Sequence, residues 1–453
     1  MSLPFAILVL SVALGACSVS ERRPSSNEAA HGGTGAVEAV ATDASAAMAG
    51  GAGAGGAGGA QSDTARPAGS PAAAGGSGAA GSPRGPDAST QQRDASAPER
   101  PDAGDGLLDA SMHDASSGSR CSGPTGTFSG ELAAGIRFLD SEGNPVNAHG
   151  GGILREGDTF YLHGEFFSST STDNNFNGFS LYSSQDLAHW HNEGIILARQ
   201  PDGELGPNRK GERPHIIKCP SSGEFVLYAH AASADYQTDK EVVYATSNTI
   251  TGQYRYRGPL QNDRGQIAAH SDMSAFADET GAYVLTEGGH VYTLASDCHS
   301  WLSDKSVPQV NGDSGGAESP TIFKAQDTYY WIGSYKTGWR ANNNFYATAP
   351  AMTGPWTHQG FLAPVRDPSN NLSDERTWLS QSTWVQPVTG CTGTVFVYWG
   401  DHWDGNLDTK APGKHNALAT YVFQPLIFDA KKISLPEYHA SWRLDVGAGS
   451  WSP

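Results

Sequence analysis

The sequence predicts an all-β fold, a five-bladed β-propeller, for residues 121–453. One observation is a strand–turn–strand unit, rich in aromatic residues, that occurs five times in this part of the chain. The other is that no comparably long helical periodicity interrupts these units. Repeated β units with aromatic and glycine residues at recurring positions are typical of propeller blades, one unit per blade. A β-sandwich is the alternative all-β fold, but it does not predict internal self-similarity.

Each unit combines a first strand, a turn that carries Gly or Asp, and a second strand with aromatic side chains, as a hairpin requires. The five units begin at Ile153, Ile216, Ala275, Thr321 and Trp384. Three of them continue with a matching second half, which starts at Leu181, Tyr244 and Tyr346. The pattern therefore predicts four strands per unit.

Residues 1–17 are predicted to be a lipoprotein signal peptide. The apolar run Phe5–Leu10 is too short for a stable transmembrane helix, and it is followed by Leu14-Gly15-Ala16-Cys17. A cysteine directly after Leu-Gly-Ala resembles a bacterial lipobox, in which Cys17 carries the lipid. No Lys or Arg precedes the run, and an ordinary signal peptide with an incidental cysteine is the alternative. We expect a protein of the bacterial cell envelope, lipid-anchored in the outer membrane or at the cell surface, or secreted.

Residues 18–120 are predicted to be a disordered linker because Gly, Ala, Ser, Pro and Asp dominate them. Such a segment cannot bury enough apolar surface to offset the entropy of ordering. The whole chain has a net charge of −18, which would repel the phosphate backbone of a nucleic acid. A neutral partner suits this charge better.

Four cysteines lie in the predicted propeller: Cys121, Cys219, Cys298 and Cys391. None forms a CxxC pair, so a zinc site is not predicted. In an exported protein their wide spacing permits two disulfides, with three possible pairings. No metal site is predicted and no cofactor is required, and the sequence does not indicate a structural calcium, although one could lie in the channel.

A ring of polar residues is predicted at one end of the propeller channel. The first strand of each blade lines the channel, so equivalent positions in all blades meet there. Just ahead of the five first strands the sequence places His149, Glu212, Asp272, Glu318 and Gln381. Turn chemistry would not favour three carboxylates at one position. Crowded carboxylates shift one another's pKa, so that one can stay protonated and act as an acid.

Short motifs that fall in order from about residue 137 to the C-terminus carry a family resemblance. They are Asn147-Ala148-His149-Gly150-Gly151-Gly152, Phe160-Tyr161-Leu162-His163-Gly164-Glu165, Glu212-Arg213-Pro214, Asp272-Met273, Glu318-Ser319-Pro320, Thr337-Gly338-Trp339 and Ser380-Gln381-Ser382-Thr383. Together they resemble glycoside hydrolase family 43, and within it the exo-β-1,3-galactanase branch. The resemblance implies a five-bladed propeller that cleaves β-1,3-linked galactan from the non-reducing end with inversion.

The resemblance also implies roles for four catalytic candidates. Glu318 matches the general acid, Asp272 the residue that modulates its pKa, and Glu212 a third carboxylate that contacts the sugar. In most of family 43 an Asp in the first blade is the catalytic base, and this chain has no Asp at that place. In the galactanase branch a glutamine matching Gln381 orients the attacking water, as its imidic tautomer. Whether Gln381 or Glu212 holds that water stays open.

Six further residues are predicted to bind substrate. Trp339, Trp403 and Tyr236 are candidates to stack on galactose, and Glu165 to bond ring hydroxyls; the set also includes His149 and Thr337. Ser319, Thr321 and Asp401-His402-Trp403 depart from the family pattern. The alternatives are an α-L-arabinofuranosidase or β-xylosidase of the same family, or a non-catalytic glycan-binding propeller on the envelope. The expected partner is a galactan or arabinogalactan, and a monomer is expected.

Overall fold

The computed structural model describes residues 121, 123–170, 174–311, 317–366, 376–403 and 416–453. The predicted signal peptide with Cys17 and the predicted linker lie outside these ranges. Within them the fold is all β. The helical segments are single turns at Pro308–Asn311 and Asn416–Leu418. Arg376–Leu379 forms a left-handed turn, with a positive φ at all four residues. No helix of the described ranges has the length and apolar character needed to span a membrane.

Five sheets have four antiparallel strands each, in simple sequential order. The first comprises β2 (His149–Glu156), β3 (Thr159–Glu165), β4 (Gly178–Ser184) and β5 (His191–Ala198). The second comprises β6 (Arg209–Lys218), β7 (Phe225–Ser233), β8 (Glu241–Ser247) and β9 (Arg255–Pro259). The third comprises β10 (Met273–Asp278), β11 (Gly281–Thr286), β12 (His290–Leu294) and β13 (Trp301–Ser306). The fourth comprises β14 (Glu318–Ala325), β15 (Thr328–Ser334), β16 (Phe345–Ala349) and β17 (Thr357–Phe361). The fifth comprises β18 (Gln381–Thr389), β19 (Thr394–His402), β20 (Thr420–Asp429) and β21 (Lys432–Ser434).

The first strands of these sheets form a closed ring. β2 contacts β6, β6 contacts β10, β10 contacts β14, β14 contacts β18, and β18 returns to β2. Each first strand pairs with the second strand of its own unit; Ile153 lies opposite Leu162, and Ile216 opposite Leu227. The arrangement is that of a β-propeller, as the repeat predicts, and it brings the starts of the five inner strands to one place.

The predicted number of blades is wrong: the described residues form six sheets, not five. The sixth has three strands, β1 (Thr125–Ser129), β22 (Ser441–Asp445) and β23 (Ser450–Ser452). It contains the two ends of the domain, which carry no copy of the repeat, and the sequence pattern therefore missed it. Its Phe128 stacks on Trp442 at 4.4 Å and packs beside Phe423 of the fifth sheet.

Hydrophobic clusters lie between neighbouring sheets and hold the propeller together. Leu181 of the first sheet, for example, packs in one cluster with Leu227 and Val243 of the second. All three side chains are fully buried. Burying a Val or Leu side chain stabilises the fold by about 1.5–3 kcal/mol, so these seams fix the angle between blades and hence the geometry at the channel.

Two disulfides resolve the pairing that the sequence left open. Cys121 bonds to Cys391, and Cys219 bonds to Cys298. The first joins the start of the domain to the turn between β18 and β19. The second joins the β6–β7 turn of the second sheet to the third sheet, across the seam between them.

Candidate active site

A left-handed residue followed by a register shift occurs at the start of three of the five inner strands. The residues that follow His149, Glu212 and Glu318 have left-handed φ values: Gly150 at 62°, Arg213 at 52° and Ser319 at 56°. In each case the strand register shifts within the next two residues. A bulge of this kind re-aims a side chain next to an active site, and left-handed φ costs a non-glycine residue about 1–2 kcal/mol. The same irregularity therefore occurs at the start of the first, second and fourth inner strands.

Glu212 and Glu318, but not His149, line a cavity of about 270 Å³. Eight of the ten predicted site residues line it: Glu165, Glu212, Tyr236, Asp272, Glu318, Trp339, Gln381 and Trp403. The other lining residues are Arg213, His230, Lys240, Ser271, Glu287, Lys336 and Gly338. The cavity is therefore a pocket of acids and bases with tryptophans at one side, a composition suited to a polar, ring-shaped ligand.

Glu318 has the properties of a proton donor. Burial raises the pKa of its carboxyl to about 8, and the negative charge of Asp272 adds to this, while Arg213 and Lys336 act in the opposite direction. The carboxyl is consequently protonated at neutral pH. A protonated acid in a cavity is the group that general acid catalysis needs.

Arg213 lies at the centre of the site. Its Nη2 is 3.3 Å from Oδ2 of Asp272 and donates to Oε1 of Gln381 at 2.5 Å, and its Nη1 donates to the carbonyl of Ser382 at 3.4 Å. Burial alone would lower the pKa of Arg213, but the charges of Asp272 and Asp401 raise it. This guanidinium is a fixed cation that ties the second, third and fifth inner strands together.

Gln381 uses all of its hydrogen-bonding capacity. Its Oε1 accepts from Arg213 and, at 2.9 Å, from the indole nitrogen of Trp403. Its Nε2 donates to Oε1 of Glu318 and to Oγ of Ser334, both at 3.1 Å. An amide has two acceptor and two donor positions, so the ordinary amide form satisfies every contact.

Glu212 is the ionised carboxylate of the pocket. Tyr236 donates its phenol to Oε1 at 2.5 Å, and Nδ1 of His230 lies 3.4 Å from Oε2. Burial alone would raise the pKa of Glu212, but the contacts with His230 and Tyr236 and the charge of Lys210 hold the pKa below its usual value. The group can therefore accept a proton or a hydroxyl hydrogen at neutral pH.

Glu165 lines the cavity from the end of β3. Burial, followed by the charge of Glu212, raises its pKa well above the usual value, although the backbone N–H of Arg213 donates to its Oε1 at 3.0 Å. Its Oε2 is buried and has no hydrogen-bond partner among the described residues. A Cβ at Gly150 would lie 2.3 Å from Oε1 of this carboxylate, and the residue has a left-handed φ of 62°, so both features favour glycine there. Glu165 has one oxygen left for a ligand hydroxyl.

The two predicted tryptophans differ in exposure. Trp339 is partly exposed and lies edge-to-face against Trp403, with ring centroids 4.8 Å apart. Trp403 is 2% exposed and also packs against Phe167. Trp339 can therefore present a ring face to a ligand, whereas Trp403 supports it and holds Gln381.

His149 and Thr337 do not line the cavity. His149 is fully buried, with Nδ1 3.0 Å from Asp401 and its ring stacked on Tyr421 at 4.9 Å. Thr337 donates to the carbonyl of Arg340 at 2.6 Å and so shapes the turn that carries Trp339. Both residues contact neighbours of the site and not the cavity itself.

One group of side chains could in principle hold a metal. Ligand atoms of Glu212, His230 and Asp272 lie within 4.8 Å of one another. The contacts of these carboxylates disfavour a bound cation. Arg213, itself a cation, pairs with Asp272, and Tyr236 already donates to Glu212. We assign no metal role to this cluster.

Sequence reasoning missed two residues of the candidate site, Arg213 and Asp401. Arg213 stood out only as a neighbour of Glu212 in the chain, whereas its ion pair is with Asp272. The signal that could have found it is its place directly after a ring position. Asp401 is fully buried and accepts from the backbone of Gly150 at 2.8 Å; nothing in its local sequence indicates that partner.

Comparison with known proteins identifies the family. The family model described as glycosyl hydrolases family 43 matches residues 144–297. A putative exo-β-1,3-galactanase from Bifidobacterium bifidum is 30% identical, with a TM-score of 0.58, over 68% of this chain and 95% of its own. The chain belongs to glycosyl hydrolase family 43. It is a glycoside hydrolase of the exo-β-1,3-galactanase-like branch.

Two further solved structures resemble this family 43 enzyme. An exo-β-1,3-galactanase from Clostridium thermocellum is 29% identical, with a TM-score of 0.60, over 72% of this chain and 68% of its own. One from Phanerochaete chrysosporium, solved with galactose, is 28% identical, with a TM-score of 0.58, over 72% and 70%. No curated protein sequence matches the chain significantly.

Proposed function

We propose that this enzyme removes galactose from the non-reducing end of β-1,3-linked galactan, with inversion at the anomeric carbon. The observation that carries the proposal is Glu318, which is kept protonated in a cavity that it shares with an ionised carboxylate, Glu212. Inverting glycosidases need such a pair, one group to protonate the leaving oxygen and one to activate water.

In the proposed reaction Glu318 gives its proton to the glycosidic oxygen, and the bond from that oxygen to the anomeric carbon breaks. Water attacks the opposite face and loses a proton to a second group. Between the two candidates that the sequence left open, the contacts favour Glu212. Gln381 has both lone pairs of its oxygen engaged by Arg213 and Trp403, whereas Glu212 is an ionised carboxylate.

The choice of sugar rests on the relatives. The structures from C. thermocellum and P. chrysosporium are named exo-β-1,3-galactanases, and the latter was also solved with β-1,3-galactotriose. In this chain, Glu165 has an oxygen free for a sugar hydroxyl and Trp339 a ring face for stacking. We infer that these two residues bind the galactose that is released.

We also propose that the enzyme works outside the cytoplasm, tethered by a lipid on Cys17. Two disulfides among the described residues are in keeping with export, because such bonds persist in oxidising compartments. The polymer substrate is consistent with this placement, since a galactan is too large to enter the cell intact.

The test is incubation with β-1,3-galactan, arabinogalactan, arabinan and xylan, with products separated by chromatography. Release of galactose from the first two polymers, with α-galactose as the first anomer seen by ¹H NMR, is the expected result. Arabinose or xylose as the main product would instead identify an α-L-arabinofuranosidase or β-xylosidase. Initial β-galactose would show retention and contradict the proposed mechanism.

A further inference from the structure

The orientation of the Gln381 amide is fixed by its neighbours. Arg213 and the indole of Trp403 can only donate hydrogen bonds, so the group that faces both of them must be the amide oxygen. The amide nitrogen then has to point the other way, and it lies 3.1 Å from Oε1 of Glu318. Both donors are buried, with exposures of 6% and 2%.

We propose that Arg213 and Trp403 are positioning residues for the acid and act through Gln381. Their donation to Oε1 of the glutamine turns its NH₂ group toward Oε1 of Glu318. The proton to be transferred is thereby kept on Oε2 of Glu318. This inference rests on the proposed function, in which Glu318 is the general acid.

The reason is the repulsion between two hydrogens. If the proton of Glu318 were on Oε1, it would either face the N–H of Gln381 across a 3.1 Å contact or leave that N–H only a hydroxyl oxygen, which is a poorer acceptor than a carbonyl oxygen. With the proton on Oε2, Oε1 is the carbonyl oxygen and accepts. Fixing the proton on one oxygen restricts the acid to one geometry, and such orientation lowers the barrier to transfer.

The hydrogen bond from Gln381 to Glu318 is also present after the proton has been transferred. The O–H bond at Oε2 of Glu318 breaks, the proton joins the glycosidic oxygen, and the electron pair of the broken glycosidic bond stays on that oxygen. Glu318 becomes a carboxylate, and the N–H of Gln381 now donates to a charged oxygen. Hydrogen bonds to charged acceptors are stronger, so Gln381 stabilises the product form of the acid.

Two variants test the inference, and both are measured as pH profiles of kcat and KM. Gln381→Glu removes the donor and places a second carboxyl beside Glu318, so we expect kcat to fall by about 10²-fold or more and the alkaline limb to move to higher pH. If Gln381 were instead the group that takes the proton from water, a carboxylate would serve better. Turnover at or above the wild-type level would then overturn the inference.

Trp403→Phe is the milder variant, because it keeps an aromatic ring beside Trp339 and removes only the indole donor. We expect kcat to fall by about 10-fold, little change in KM, and an alkaline limb at higher pH, since a looser Gln381 stabilises the carboxylate less. Trp339→Phe is the matched control. It should change KM and leave the limb in place. A limb that stays fixed in Trp403→Phe would overturn the inference.

A second measurement needs no substrate and separates this inference from the proposed function. The carboxyl carbon of Glu318 can be followed by ¹³C NMR in labelled protein and assigned by its loss in Glu318→Gln. A higher pKa of Glu318 in Trp403→Phe than in wild type is expected, and an unchanged pKa would contradict the inference. If the wild-type enzyme cleaves no galactan, the proposed function fails while this titration still decides the role of Trp403.

Discussion

Arg213 forms an ion pair with Asp272, with 3.3 Å between Nη2 and Oδ2. The two residues come from neighbouring blades, and their charges act in opposite directions on a third group. The negative charge of Asp272 raises the pKa of Glu318, and the positive charge of Arg213 lowers it. Burial causes most of the raised pKa of Glu318, and the balance between these two residues, which also hold each other in place, adjusts it.

Asp272→Asn should shift this balance. Removing the negative charge lowers the pKa of Glu318, so the acid loses its proton at a lower pH. We expect the alkaline limb of kcat/KM to move down by about one pH unit, with activity at pH 7 reduced more than activity at pH 5. The measurement is a pH profile from pH 4 to pH 10. A limb that moves upward would show that Asp272 does not act through its charge.

Glu318→Gln should remove the proton donor while keeping a side chain of nearly the same size and shape. We expect kcat on galactan to fall by about 10²–10⁴-fold. The loss should be much smaller on an aryl galactoside with an acidic phenol, because that leaving group departs without protonation. Equal losses on both substrates would argue against an acid role. Steady-state kinetics on the two substrates provide the comparison.

The same substitution has a consequence for stability. The pKa of Glu318 is raised from 4.5 to about 8 in the folded state, so its contribution is fully present below pH 4.5 and is lost as the pH rises through about 8. Glu318→Gln does not titrate. We expect the Tm of the variant minus the Tm of the wild type to increase between these two pH values, by a few degrees at most. Calorimetry at pH 4.5 and pH 8.5 measures the difference.

The sequence predicts the ring of polar positions because propeller strands repeat with a fixed phase. Glu212, Asp272, Glu318 and Gln381 all reach the cavity for this reason. It does not reveal where His149 points, since the bulge at Gly150 and the buried Asp401 decide that. The sixth sheet and the disulfide pairing also could not be predicted from the sequence, because both join segments far apart in the chain with no repeated pattern.

Trp339→Ala should weaken binding more than turnover. The ring is partly exposed at the cavity and is supported by Trp403 at 4.8 Å. Loss of an aromatic face costs about 1–2 kcal/mol of binding, so KM should rise by about 5–30-fold with kcat within a few fold of wild type. Trp301→Ala is a matched control, since that tryptophan lies on the outer strand of the third sheet, β13. A larger effect on kcat than on KM would assign Trp339 a different role.

Cys17→Ala tests the proposed lipid anchor. The variant should move from the membrane fraction to the soluble exported fraction, because the proposal places the lipid on Cys17 alone. Its kcat and KM on galactan should match those of the wild type, since residues 18–120 are predicted to be a flexible spacer that keeps the propeller independent of the anchor. Cell fractionation and immunoblotting give the distribution. Retention of the variant in the membrane would show that Cys17 is not the site of attachment.

Glu212→Gln decides between the two groups that could activate water. As an amide this side chain still accepts from Tyr236 but cannot take a proton, so we expect kcat to fall by about 10²–10⁴-fold with little change in KM. Because the pKa of Glu212 lies below its usual value, the acidic limb of the wild-type profile should fall below pH 4.5 and vanish in the variant. Azide, a nucleophile that needs no base, should restore turnover and yield a galactosyl azide of inverted configuration. Activity close to wild type, with no response to azide, would move the water-activating role to Gln381 and would contradict the amide form that its four hydrogen bonds support.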